Sequence, residues 1–291
     1  MQPLQPEPKA PSSTLWAPSF ALASCVRAYV SRSTLGTALP ESQRYNHFPA
    51  MPMCALFWRL SGEAELLEGT RAHADAARSP VPPTIFVGPA DQPSVSYNPG
   101  PVHSFALLLM PDVMHALTGL DLGEHLNRRT PAEQALPADW LPLLDAVRQA
   151  ASDAQRVALI EAFLLPRWAA ARASGAVSVH PTQDWLQGLA VRAAAIGWGR
   201  SPRQAERRVR AWVGQSMRSL RLFTRSEQTL FSVVDAVEAG ELNWTEQALK
   251  NGYADQAHLC RDAKRVTGHS PVELQRALPH DETLWTYRLW L

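Results

Sequence analysis

"ALKNGYADQAHLCRDAKRVTGHSPVEL", Ala248 to Leu274, is the stretch on which the reading of this 291-residue chain turns. It sets Gly252 between two runs of helical period. Ahead of the glycine, Asn243 stands as a helix N-cap with Glu246 three residues on, the spacing of a capping box, and Ala248 and Leu249 are expected to point inward. Gly252 supplies the positive φ that a sharp turn between helices requires. Asp255 caps the next helix, in which Leu259, Ala263 and Val266 share one face at i, i+4, i+7. The remaining faces carry Gln256, His258, Arg261, Lys264 and Arg265. Such side chains read a major groove: Gln pairs bidentately with adenine and Arg with guanine, while Lys and Arg neutralise phosphates at the groove walls. Taken alone, the pattern also fits a solvated charged helix, because helix, glycine turn and helix is a common arrangement.

An internal repeat tips the balance. Upstream, "GRSPRQAERRVRAWVGQSMRSL" (Gly199 to Leu220) aligns without a gap on "YADQAHLCRDAKRVTGHSPVEL" (Tyr253 to Leu274). Ser201 takes the cap position of Asp255, Arg207 that of Arg261, Arg210 that of Lys264, Gly214 that of Gly268 and Ser216 that of Ser270. Residues 200–225 hold eight Arg against one acid, Glu206, so this second unit is basic as well. Two similar basic helices joined by a long helical stretch, Met217 to Ala239, suit two successive major grooves about 34 Å apart.

With these residues in view, the C-terminal hundred residues resemble the DNA-binding domain of the AraC/XylS family of transcriptional regulators. "ALKNGYADQAHLCRDAKRVTGHSPVELQR" follows that family's second motif through the Gly-aromatic turn, the basic helix and the terminal Gly-x-Ser-Pro. "SPRQAERRVRAWVG" resembles its first recognition helix, and "RSEQTLF" the start of its linker helix. The resemblance implies that Arg203, Glu206 and Arg207 face bases from the first motif and Gln256, Ala257 and Arg261 from the second. It implies phosphate contacts for Arg210 and Lys264, and leaves His258 as base-edge contact or filler. For Arg207 and Arg261 an ion pair within the domain is the competing role. Two departures stand out. Ala263 occupies a position where the family usually has a large aromatic, a deficit of a few kcal/mol unless Trp244 or the tail "LWTYRLWL" fills it. "DWLQGLAVRAAAIGWG" is a loose fit, with a Gly197/Gly199 turn in place of the usual spacing.

The first half is built differently. Sixteen of the 24 prolines precede residue 112, among short β-rich runs. Met53–Leu60, a Ser61-Gly62 turn and Glu63–Glu68 read as a hairpin, and "TIFVG", "SVSYN" and "SFALLLM" as further strands of a barrel or sandwich. After Met110 the period becomes helical. "PDVMHALTGL" starts at Pro111 and ends near Gly119. Trp140, Leu143, Leu144 and Val147 recur at helical spacing, as do Val157, Ile160, Leu164 and Trp168, with Pro166 expected to kink or break the latter run. These two helices fit an interdomain or dimer layer and a cover for the barrel equally well. The expected organisation is α+β: a disordered Pro-rich leader over 1–15, a cupin-like β-barrel with following helices over 16–175, the double helix-turn-helix over 176–280 and an aromatic tail over 281–291. The boundary is set in "ARASGAVSVHPTQ", Ala171 to Gln183.

Composition narrows the function. With 46% hydrophobic residues and a formal charge of +1, the chain is globular and carries no polybasic tail. No signal peptide or window of ~18 apolar residues is present, and three scattered cysteines (Cys25, Cys54, Cys260) suit a reducing cytoplasm, with no membrane association. Tyr45, Phe57, Trp58, Phe86, Tyr97 and Phe105 are candidates for a small-molecule pocket, with plain core as the alternative. Four histidines here (His47, His73, His103, His115), with Glu41, Glu63 and Glu65, raise a metal-cupin reading, but no His-x-His occurs in the chain, and no metal or other cofactor is expected. Nucleophile elbow, P-loop and dinucleotide fingerprint are missing, and the cysteines form no reactive cluster, so no enzyme is expected. The partners implied are a double-stranded DNA operator, RNA polymerase, a small-molecule effector and a second copy of the chain. Two rival readings are a metal-dependent cupin enzyme with a helical oligomerisation module, and a constitutive DNA-binding protein without an effector.

Overall fold

The computed structural model describes residues 9–70, 76–174, Trp185, Leu186, Leu189, Arg192 and 202–289. Its first part is β-rich and its second entirely helical, an α+β architecture. The strands are β1 (Ser12–Trp16), β2 (Val26–Ser33), β3 (Tyr45–Phe48), β4 (Cys54–Ser61), β5 (Glu65–Leu67), β6 (Arg78–Pro80), β7 (Thr84–Val87), β8 (Ser94–Tyr97), β9 (His103–Leu109) and β10 (Arg129–Pro131). They form two antiparallel sheets, a six-stranded one in the order β1-β2-β9-β4-β7-β10 and a four-stranded one in the order β3-β8-β5-β6. These two sheets are what the expected barrel amounts to.

The run read as a hairpin is corrected. β4 lies within one residue of its expected bounds and β5 is half its expected length, with Gly62 between them at φ 79°, but β4 pairs with β7 and β9 whereas β5 pairs with β6 and β8. The turn crosses from one sheet to the other. Its glycine is obligatory, because a Cβ there would lie 2.2 Å from the Pro101 carbonyl oxygen. The expected disordered leader is corrected at its end: Ser12–Trp16 is a strand paired along its length with β2. Leu15 and Trp16 pack against the hydrophobic clusters there, while Ser12 and Thr14 are exposed.

The period-2 rule divides the large sheet's side chains between two cores. Tyr29, Leu56, Trp58, Phe105, Leu107 and Leu109 face helices α1 (Pro111–Thr118), α3 (Leu141–Gln149) and α4 (Asp153–Ala173), while the short α2 (Ala132–Ala135) precedes α3. The helices between Trp140 and Trp168 therefore cover the sheet. Trp58, Trp140 and Trp168 are fully buried there, each removing roughly 150–250 Å² from water. Trp58 Nε1 donates to the Leu144 carbonyl (3.1 Å), fixing sheet to helix. Of the kink or break expected at Pro166, the break does not occur: α4 continues through the proline. Ile160, Leu164 and Trp168 anchor it on both sides of the proline, and the Arg167 guanidinium donates to the Phe163 carbonyl, next to the Ala162 carbonyl whose ladder donor the proline removes. Trp58, Phe86 and Phe105 are core, and Tyr45 and Tyr97 pack with Leu67 and Val95 on the smaller sheet.

The alternate residues Ala28, Val30, Ala55 and Leu108 form the second face, and the side chain that covers them is Trp285. The aromatic tail thus docks on the β-rich half. Trp285 Nε1 donates to Asn46 Oδ1 (2.8 Å), the Thr286 hydroxyl to the His47 carbonyl (2.5 Å), and Arg32 both pairs with Glu282 (2.6 Å) and lies over the indole at 5.0 Å. Burial lowers the Arg32 pKa, and Glu282 opposes that shift. The expected boundary, between residues 175 and 176, falls outside the described residues. No described helix is long and apolar enough to cross a membrane.

Candidate nucleic-acid interface

Beyond residue 202 the helices are α5 (Pro202–Val213), α6 (Met217–Glu238), α7 (Trp244–Lys250), α8 (Gln256–Thr267), α9 (Pro271–Ala277) and α10 (Trp285–Arg288). The sequence repeat is reproduced as structure. α5 and α8 are each 12 residues long and begin 54 positions apart, by subtraction of Pro202 from Gln256. Each ends on a left-handed glycine, Gly214 (φ 74°) or Gly268 (φ 80°), whose N–H returns to the Arg210 or Lys264 carbonyl. Two residues on, Ser216 and Ser270 cap the following helices, Ser270 in a reciprocal capping box with Glu273. Ser201, expected to cap α5, and the loosely fitting segment Asp184–Gly199 lie wholly or largely outside the described residues.

Local signals account for the second unit. Asn243 caps α7 by accepting from Thr245 and Glu246 N–H groups, and Asp255 caps α8 by accepting from His258 N–H (2.6 Å). The expectation for Leu249 is corrected: it is 62% exposed, whereas Ala248 is fully buried and Gln247 is buried in its place. Trp244, Gln247 and Ala248 share a face at i, i+3, i+4, and Leu249 is turned away by one further step of 100°. The buried Gln247 amide is satisfied by the Ser232 hydroxyl (2.7 Å).

The two helices present the predicted side chains outward. On α8, Gln256, Ala257, Arg261, Lys264 and Arg265 are exposed; on α5, Arg203, Arg207 and Arg210 are exposed and Glu206 half-buried. Among the described residues neither Arg207 nor Arg261 forms an ion pair, whereas Glu206 and Arg210 approach within 3.7 Å on one helix face. His258 rests edge-on against Tyr253 (centroids 5.2 Å apart), with Nε2 3.6 Å from Asp262. Asp262 is held by Arg225 of α6 (2.6 Å), whose guanidinium stacks on Tyr253 at 4.4 Å. These contacts, which the sequence reading did not identify, fix the orientation of α8 against α6.

Both helices are plugged into the β-rich half by their C-termini, where the last carbonyls have no partner within the helix. The Leu122 N–H donates to the Ala211 carbonyl (2.8 Å), and the Ala50 N–H to the Val266 carbonyl (2.7 Å). Asp112 of α1 adds a buried anchor, accepting from Trp185 Nε1 (2.9 Å) and Arg192 (3.2 Å). His47 and His269 meet edge to face, centroids 5.0 Å apart; burial and then the neighbouring His269 push the His47 pKa down to about 4, against a smaller opposing effect of Asp281.

The described histidines of the β-rich half do not converge. His103 Nε2 lies 3.4 Å from the Ser31 hydroxyl, His115 Nδ1–H donates to the Leu120 carbonyl (2.7 Å), and His73 is outside the described residues. Among the described residues no three His, Cys, Asp or Glu are grouped to hold a metal ion. Cys25 and Cys54 are buried, which pushes their thiols up, Cys25 to about 12, the reverse of an activated thiolate. None of the six candidate aromatics lines the cavity of about 900 Å³ that lies beside Ala263. Trp244 and Tyr287 border it without filling it.

No protein-family model matches the sequence, and a search of curated proteins returns no match. Among solved structures, ToxT from Vibrio cholerae aligns over 91% of this chain and 97% of its own, at 11% identity and a TM-score of 0.36. ToxT from Vibrio cholerae O395 bound to (E)-4-(8-methylnaphthalen-1-yl)but-3-enoic acid aligns at 12% identity, 91% and 98% coverage and a TM-score of 0.37. Unsaturated fatty acid bound ToxT of strain SCE256 aligns at 11% identity, 79% and 92% coverage and a TM-score of 0.33. Scores this low bear no weight beside the geometry above.

Proposed function

We propose that this chain is a transcription regulator of AraC/XylS type that binds specific duplex DNA through α5 and α8, with the β-rich half sensing a small molecule or pairing two copies. The observation that carries this reading is the duplicated unit itself: two 12-residue helices, each closed by a left-handed glycine and each exposing an arginine, Arg207 or Arg261, that forms no ion pair among the described residues. α6 between them has 22 residues and spans about 33 Å, close to the spacing of successive major grooves on one side of B-DNA. In this reading Arg203, Glu206 and Arg207 meet base edges from α5, and Gln256, Ala257 and Arg261 from α8. Arg210 and Lys264 neutralise phosphates, and His258 holds α8 through Tyr253 and Asp262. The chain acts in the cytoplasm, with RNA polymerase as its further partner at the promoter.

Selection from random duplex DNA tests the proposal. The expected product is a site with two conserved boxes about 10 base pairs apart, the helical repeat. Recovery of no enriched sequence, or binding that survives Arg207→Ala combined with Arg261→Ala, refutes it.

A further inference from the structure

The cavity of about 900 Å³ beside Ala263 is built by the second helix-turn-helix unit, α6 and the 49–53 segment of the β-rich half. The repeat explains its origin. At the positions of Val209, Trp212 and Val213 in the first unit, the second has Ala263, Val266 and Thr267, whereas Leu259, in place of Ala205, and Tyr253, in place of Gly199, are larger. Among the described residues the first unit packs around one cluster, Leu189, Val209, Val213 and Leu220. The second breaks into three: Ala50 with Phe223 and Val266, Tyr253 with Leu259, and Leu274 with Leu284 and Tyr287. Members of all three border the cavity, so the missing volume lies where a single core would have joined them. A space of this size lined mainly by apolar side chains is at the upper end of small-molecule sites.

Its polar features restrict the ligand. The Ser226 hydroxyl of α6 is buried without a hydrogen-bond partner, on a residue that lines the cavity. Two of the lining charges, Arg27 and Glu227, are engaged with each other at 2.7 Å, and the remaining one is an acid, Glu238. We infer that the cavity binds an uncharged, largely apolar small molecule with one hydrogen-bonding group directed to Ser226. Such a ligand bridges α8, α6 and the 49–53 segment, and so fixes one recognition helix relative to the β-rich half. The regulatory meaning of the site rests on the proposed function; binding does not.

The test is fluorescence titration of the full chain with N-phenyl-1-naphthylamine, an uncharged probe with a single N–H, and with its anionic relative 8-anilinonaphthalene-1-sulfonate. Expected are one saturable site per chain, at least tenfold preference for the uncharged probe, and a Tm that rises with its concentration. Ala263→Phe, which projects a ring into the cavity, is expected to weaken binding at least tenfold without lowering the Tm. Should that variant not fold, Val234→Phe, on another wall, serves the same end. Ser226→Ala is expected to weaken binding about fivefold, the loss of one hydrogen bond. No saturable site in the wild type, equal binding by the filled variant that folds, or a preference for the anion overturns the inference. A chain that selects a DNA site but binds no probe refutes the inference alone; one that binds the probe but selects no DNA refutes only the proposed function.

Discussion

Trp285→Ala probes the junction on which the geometry of the molecule depends. The indole is 7% exposed and covers Ala28, Val30, Ala55 and Leu108, so its truncation opens a cavity that these small side chains cannot collapse into. Large aromatic-to-Ala changes in cores cost about 3–5 kcal/mol. The lost bond to Asn46 adds ~1 kcal/mol, though Asn46 keeps its own donations to Ser96 and Asn98. Stacking of Arg32 on the ring contributes a further ~1 kcal/mol. These terms overlap, because one side chain makes all three contacts, and a total of about 4–5 kcal/mol is expected. At roughly 2–3 °C per kcal/mol for a chain of this size, the Tm falls by about 8–15 °C. Calorimetry measures it, with Leu249→Ala as an exposed control expected to stay within ~0.5 kcal/mol of wild type. A drop of under 3 °C for Trp285→Ala would mean that the tail does not dock on the sheet.

Further outcomes follow from the same contacts. Arg261→Ala should cost about 1–3 kcal/mol of specific DNA binding and relax base preference at one position, measured by competition against single-base variants of the selected site. Lys264→Ala should weaken binding to all sequences alike and lower the slope of log K against log salt by about one. Gly214→Ala combines left-handed strain of ~1–2 kcal/mol with a Cβ only 2.8 Å from the Leu122 carbonyl oxygen, so it should destabilise more than Gly240→Ala, which has the same φ sign and open space, in urea titrations. His47, lowered from 6.5 to about 4, binds a proton more readily unfolded than folded. Its contribution to stability is therefore complete above pH 6.5 and is lost as pH falls toward 4; His47→Gln should flatten this part of the pH profile of the urea midpoint.

The helix-turn-helix units were legible because their signals are local: Asn243, Asp255, Gly268 and Ser270 act within a few residues of where they stand. Helix α1 was legible for the same reason, with Pro111 at its start and Gly119 at its end. What escaped depends on partners distant in sequence. Alternation identifies β4 and β5 as strands but not which sheet each joins, and the Gly62 crossing is set by Pro101, some 40 residues away. Pro166 reads as a break because its local cost is visible, while the tertiary packing that outweighs it is not. Among the candidate interface residues, exposure of Gln256 and Arg261 was legible from helical phase, while Arg203 and Arg207 were marked by the family resemblance. The Asp262–Arg225–Tyr253 stack that orients α8 was not, since it joins three elements. Ala263 was marked as too small for its place, yet sequence alone did not show that its neighbours leave the space open.

The two carbonyl plugs, Leu122 to Ala211 and Ala50 to Val266, make the β-rich half a caliper. Its jaws hold α5 and α8 by their ends, so in the DNA-binding reading the gap between them is measured out by the sheet framework between Ala50 and Leu122 rather than by α6 alone. Spacer length in the DNA becomes a property written partly in a half of the protein that touches no base. Segment 202–289 on its own would still bear both reading helices, but would tolerate sites whose boxes are set one or two base pairs nearer or farther apart.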